Sequence, residues 1–187
     1  MIHEWRSYRL KPGAGHDYLG LLADHGLPLV TRHLPLMGYW LAETGTLNTI
    51  HHLWSYADWA ERETARAALA QEHEWTAGFI PKAFALVEEQ DNCFLTLRRS
   101  SPAFDAALNR RRQAHPARIA GAPLYAAQCA ALVKGATRPD AVAEWEPVSG
   151  DSTSSFTLLP RAADPAPATR IAGAHHIVLR PLAFSPL

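Results

Sequence analysis

LMGYWLAETGTLNTIHHLWSY, residues 36–56, reads as two β-type runs, 36–44 and 47–56, meeting at Glu43-Thr44-Gly45-Thr46. Aromatic and β-branched residues fill both runs, and Gly45 suits the positive φ that a tight hairpin demands. Upstream, residues 2–10 alternate with period 2 and carry Ile2, Trp5 and Tyr8, which predicts a strand that stops at Lys11-Pro12-Gly13. Between them, residues 14–34 place Tyr18, Leu21, Leu22, His25 and Leu29 at helical spacing, with Gly26 and Pro28 bending the helix. Downstream, Asp58-Trp59-Ala60-Glu61 has the form of a capping box. It opens a helical stretch over 59–89 that breaks near Gly78-Phe79-Ile80-Pro81, before a strand at 92–97. Strand, helix, strand, strand, helix, strand is the split βαβ, or ferredoxin-like, order.

The rest of the chain repeats this pattern in worn form. Trp40 precedes Gly45 by the same interval as Trp145 precedes Gly150, and the same offset of 105 lays Leu53 on Leu158. Leu10 and Gly13 match Leu132 and Gly135 at a different offset, 122. Both intervals that hold helices in the first half are shorter in the second, which predicts strands at 124–133, 153–159 and 175–180 with little helix between them. The fold class expected is therefore α+β: a ferredoxin-like module over 1–98, a linker over 99–122, and a helix-poor second copy over 123–187. A sheet without its own helices must bury a face elsewhere. Packing it face to face on the first sheet, as in a dimeric α/β barrel, meets that need; a second subunit in a homodimer is the other cover.

Composition narrows the function. Lys plus Arg and Asp plus Glu are both 18, so the formal charge is zero and nucleic acid is not an expected partner. The one basic run, Arg110-Arg111-Arg112, reads as solvated linker. No segment approaches the roughly 20 apolar residues of a membrane span, and the N-terminus lacks a signal-like apolar core. The two cysteines, Cys93 and Cys129, fall in apolar runs without metal-ligand spacing. A cytoplasmic location and no cofactor or metal are expected.

Several residues together resemble the NIPSNAP family. They are Glu4, Arg6, Tyr8, Pro12 and Gly13; the run His51-His52-Leu53-Trp54-Ser55-Tyr56 with Asp58; Arg62, Thr64, Arg66 and Trp75; and the tail Leu182-Ala183-Phe184-Ser185-Pro186-Leu187. The strong part of the resemblance covers residues 2–97. It implies the dimeric α/β-barrel fold, whose wider superfamily includes cofactor-free monooxygenases, isomerases and haem-handling enzymes. The family itself has no settled mechanism.

Residues two apart on a strand share a face. Glu4, Arg6 and Tyr8 therefore form one set, and Asn48, His52, Trp54 and Tyr56 another; both are expected to line an inter-sheet cavity, with Trp5 and Leu53 packing on the helices. There a small polar or aromatic molecule would be held by Glu4, Arg6, Asn48, Trp54 and Tyr56. His52, as a base, and Tyr8, as a hydrogen-bond donor, are the catalytic candidates for cofactor-free oxygenase or isomerase chemistry. Arg62 and Arg66, one turn apart, are expected to steady Asp58 and Glu61, with the clamping of an anion as the alternative. The alternative is a non-enzymatic protein–protein interaction module with Trp40, Trp54, Trp59 and Trp75 as core.

Overall fold

The structure, a computed structural model, describes residues 1–150, 153–166 and 173–187. Eight antiparallel strands close into one barrel within the single chain. They are β1 (Ile2–Leu10), β2 (Leu36–Ala42), β3 (Thr49–Tyr56), β4 (Val87–Ser100), β5 (Cys129–Lys134), β6 (Ala143–Ser149), β7 (Phe156–Ala162) and β8 (His175–Pro181). Around the barrel they run β1-β3-β2-β8-β5-β7-β6-β4. Each half thus keeps the ferredoxin-like order with its first and third strands adjacent.

The offset of 105 holds to the level of hydrogen-bond register. Trp40 pairs with His51 and Gly38 with Leu53, just as Trp145 pairs with Phe156 and Ala143 with Leu158. The offset of 122 does not hold. Trp5 lies opposite Leu53 and Leu132 opposite Leu158, so Leu132 is the counterpart of Trp5, not of Leu10. The glycine turns had matched by composition while the strands before them differ in length. The seams between the halves are equivalent too: Ala42 faces Leu179 across one, Pro147 faces Leu95 across the other.

The first half carries the helices. α1 (Gly15–Leu21), a π-helical turn (Leu22–Gly26) and α2 (Leu27–Val30) form one bent rod. α3 (Trp59–Ala70), a second π-helical turn (Glu74–Phe79) and α4 (Ile80–Phe84) form the other. The capping box is in place: Asp58 accepts from the Glu61 amide at 2.9 Å, while Glu61 reaches back to the Ala57 amide at 2.5 Å. β4 begins at Val87, earlier than the expected strand, and takes the end of the expected helix. Between β5 and β6 there is no helix. The corresponding expectation for the β7–β8 connection falls partly on 167–172, outside the described residues.

Residues 99–122 are not a plain linker. Ser101 caps, and Pro102 starts, a helix α5 (Pro102–Arg110) whose buried Phe104 and Ala107, one turn apart, plug an end of the barrel. Phe104 meets Trp145 edge-on and His3 at a tilt there. Arg111 then donates to the Ser55 carbonyl and Arg112 pairs with Glu61 at 2.5 Å, so this basic run is tied down. Further on, Arg118 grips Asp24 on the first π-turn at 2.8 Å.

The inter-sheet space is a packed core, not a hollow. Trp5 stacks on Trp40 at 5.4 Å and meets Phe156 edge-on; Leu53, Leu95, Leu132, Trp145, Leu158 and Leu179 fill the remainder. The inferred alternation was therefore right and its direction inverted. Trp5 and Leu53 point inward, whereas Glu4, Arg6, Tyr8, His52, Trp54 and Tyr56 face the helices. A closed barrel of this width has room for its large apolar side chains, and the charged set must lie where water and helix side chains reach it. Of the four tryptophans expected as core, Trp40 and Trp54 are buried, Trp75 is half-buried and Trp59 is exposed on the outside. Among the described residues no helix is long and apolar enough to cross a membrane.

Candidate functional site

The pocket that collects the named residues lies between the first sheet and its helices and encloses about 270 Å³. Its floor is sheet: Arg6 and Tyr8 from β1, Tyr39 from β2, His52 and Trp54 from β3, Gln90 from β4. Its roof is helix: Tyr18, Leu22 and Val30 on one side, Arg66, Leu69, Trp75, Ile80 and Phe84 on the other. The two π-turns pack against each other above it. Gly26 allows this contact, since a Cβ there would come within 2.5 Å of the Phe79 ring. π-turns are rare and concentrate at functional sites, where they widen a helix locally.

One wall of the pocket is charged. Glu4, wholly buried, accepts from Arg6 at 3.1 Å, Arg62 at 3.1 Å, Arg66 at 2.8 Å and Asn92 at 3.0 Å. Burial raises the Glu4 pKa, but the hydrogen bond from Arg62 and the charges of Arg66, Arg6 and Arg62 outweigh it and hold the carboxyl below its usual range. Arg62 and Arg66 therefore steady Glu4, not Asp58 and Glu61. Three guanidiniums around one buried carboxylate leave positive charge to spare, and two of them, Arg6 and Arg66, line the pocket. Arg66 Nε is buried without a hydrogen-bond partner. Arg6 also donates to the Tyr8 hydroxyl at 3.1 Å and to Gln90 at 3.3 Å.

His52 sits at the centre, stacked on Tyr39 at 4.8 Å with Tyr8 edge-on at the same distance. Trp54 Nε1 donates to His52 Nδ1 at 2.6 Å. Burial, then the nearby Arg6 and Arg66 charges, push the imidazole well below its ordinary range. The ring is thus neutral, its lone pair is taken by Trp54, and Nε2 carries the proton. Nε2 is buried and has no partner. Against the expectation of a general base, the ring presents an N–H and no free lone pair to the pocket. Tyr18 and Tyr39 share a hydrogen bond deeper in, and burial raises both hydroxyls above the usual tyrosine range.

Two expected site residues stand apart. Asn48 adopts φ 55° in the hairpin turn and accepts from the Gly13 amide at 3.2 Å, serving the turn. Tyr56 lies beyond the pocket beside Glu4, its hydroxyl buried and its pKa raised by burial and then by the Glu4 charge. Tyr18, Tyr39 and Gln90 were missed as site residues because they come from elements that only the closed fold brings over His52. Among the described residues no group of three His, Cys, Asp or Glu side chains is arranged for a metal ion.

A closed antiparallel barrel with helices and a pocket on one flank is the dimeric α/β-barrel architecture of the ferredoxin-like superfamily. The chain belongs to the NIPSNAP family, whose model matches residues 3–102. Human NipSnap homolog 3A is 37% identical over 93 residues, which are 49% of this chain and 37% of that protein. Mouse NipSnap homolog 3B is 33% identical over 91 residues. The chain thus spans little more than a third of the length of the curated relatives it matches. Among solved structures, protein Atu4242 of Agrobacterium tumefaciens shares 37% identity at a TM-score of 0.52, covering 55% of this chain and 98% of its own. A monooxygenase candidate from Lactobacillus acidophilus superposes on 98% of the chain at a TM-score of 0.55 and covers 96% of itself. At 7% identity it shows likeness of fold alone.

Proposed function

We propose that this protein binds a small aromatic acid, enol or phenol in the sheet–helix pocket, with the acidic oxygen toward Arg6, Arg66 and the Nε2–H of His52. The observation that carries the reading is the buried, partnerless Nε2–H of His52, which Trp54 keeps protonated by occupying the other ring nitrogen. A buried donor without an acceptor costs roughly 1–3 kcal/mol, which an anionic oxygen would recover. The aromatic walls supply the body of the site and the surplus guanidinium charge its polarity.

The same arrangement suits cofactor-free oxygenase or isomerase chemistry, since both use an enolate or phenolate whose oxygen needs preorganised donors. A neutral imidazole N–H is a suitable donor of this kind. Glu4 is too tightly held by arginine to serve as base, so the substrate would be one that ionises readily by itself.

Thermal-shift titration tests this with benzoic acids, phenols and 1,3-diketones alongside their methyl esters and ethers. Wild-type protein is expected to bind the acids at least tenfold more tightly than their neutral counterparts, and Arg66→Met to erase the difference. Equal binding of acid and ester would overturn the reading.

A further inference from the structure

A second cavity, of about 290 Å³, opens at an end of the barrel and looks into its interior, the opposite side of the sheet from the ligand pocket. Trp5 and Phe156 form its walls; Ser7, Gln90, Asp91, Asn92, Cys93 and Lys134 complete it. By the register of the two halves, Lys134 occupies the place that Ser7 holds in the first half, and Phe156 the place of His51. Ser7 is already engaged with His51 Nδ1 at 2.8 Å, and Trp5 Nε1 reaches the same nitrogen at 3.3 Å. Lys134 differs. Its Nζ lies 4.5 Å over the Phe156 ring, and among the described residues it forms no ion pair. Burial pushes its pKa below the usual lysine range, while Cys93 and Asp91, the acidic groups that face it, pull the other way.

We propose that this mouth is a carbonyl site in which Lys134 condenses reversibly with a small aromatic aldehyde. An amine beside an aromatic wall, held in no ion pair among the described residues, in a space that fits one ring, is arranged for this chemistry. The uncharged Nζ adds to the carbonyl carbon to give a carbinolamine. The carbonyl oxygen then leaves as water with the two amine protons, and a C=N bond replaces C=O without any net redox change. The aldehyde's ring rests in the mouth against Trp5 and Phe156, which meet each other edge to face. The site stands apart from the reading of the sheet–helix pocket and does not depend on it.

The chain contains three lysines, and Lys11 and Lys82 are exposed, so they serve as internal references. Full-length protein is treated at pH 7 with benzaldehyde and cyanoborohydride, which fixes any imine as a secondary amine, and each lysine is followed by peptide mass mapping. Lys134 is expected to be labelled at least tenfold faster than Lys11 and Lys82, with a rate that saturates as benzaldehyde rises. Labelling at Lys134 that is no faster than at the references, or that climbs linearly with aldehyde, would overturn the proposal. Lys134→Arg, which keeps the charge over Phe156, is expected to retain the fold by circular dichroism and lose the saturable label.

Discussion

Glu4 shows how much a single side chain can carry in this protein. With no exposed surface and three guanidiniums around it, it is worth far more present than absent, because its removal strands the arginines. Glu4→Gln is expected to destabilise the fold by about 3–5 kcal/mol, measured by urea unfolding. The buried histidines set a pH dependence of definite sign. Burial lowers His3 to about 4 and His51 to about 3, so both stay neutral in the folded chain while their unfolded forms titrate near 6.5. The stability they contribute is full above about pH 6.5 and is lost as pH falls toward their folded values, because the unfolded chain takes up protons first. The melting temperature is therefore expected to drop steadily from pH 7 to 4. His51→Phe, the residue found at the matching place in β7, is expected to flatten that slope. These features were half legible in the sequence. Glu4, Arg6, Tyr8, His52 and Trp54 were read as one face, but nothing local told whether that face looked inward. The positions that stay apolar in both halves, Trp40 with Trp145 and Leu53 with Leu158, are the signal that decides it: a shared interior requires them in a half whose helix intervals are so short.

At the level of elements, the two bent rods over the sheet depend on their π-turns touching. Gly26→Ala would ordinarily strengthen a helix by up to about 1 kcal/mol. Here its methyl would enter the Phe79 ring, and overpacking of about 1–3 kcal/mol outweighs the gain. A net loss of stability and weaker acid binding are both expected in thermal shift, with recovery in Gly26→Ala/Phe79→Leu. Recovery failing in the double variant would show that the ring contact is not the cause. The sequence marked Gly26, Pro28 and Gly78-Phe79-Ile80-Pro81 as bends, yet gave no sign that the two bends meet, since that contact joins residues 53 apart along the chain. α5 was missed for the opposite reason. Ser101-Pro102 followed by Phe104 and Ala107 is a complete local helix signal, overshadowed by the polar residues on either side.

The whole molecule is two ferredoxin-like sheets joined along equivalent seams, β2 to β8 and β4 to β6. Residues 1–112 alone would expose both seams and the Trp5–Trp40 face. They are expected to pair as a dimer in sedimentation experiments, each copy taking the place of the missing half. A well-folded monomer would contradict this account of what the second half supplies. The order of strands and the split into halves were readable because turn glycines and tryptophans repeat at a fixed interval. Closure within one chain was not, because it rests on seam hydrogen bonds that leave no local pattern. The unequal clothing of the halves also fixes a stoichiometry. A barrel built from two complete modules carries two like pockets, so occupancy of one can bias the other; among the described residues helices roof only one flank, and the saturation curve for acids should be hyperbolic at one molecule per barrel.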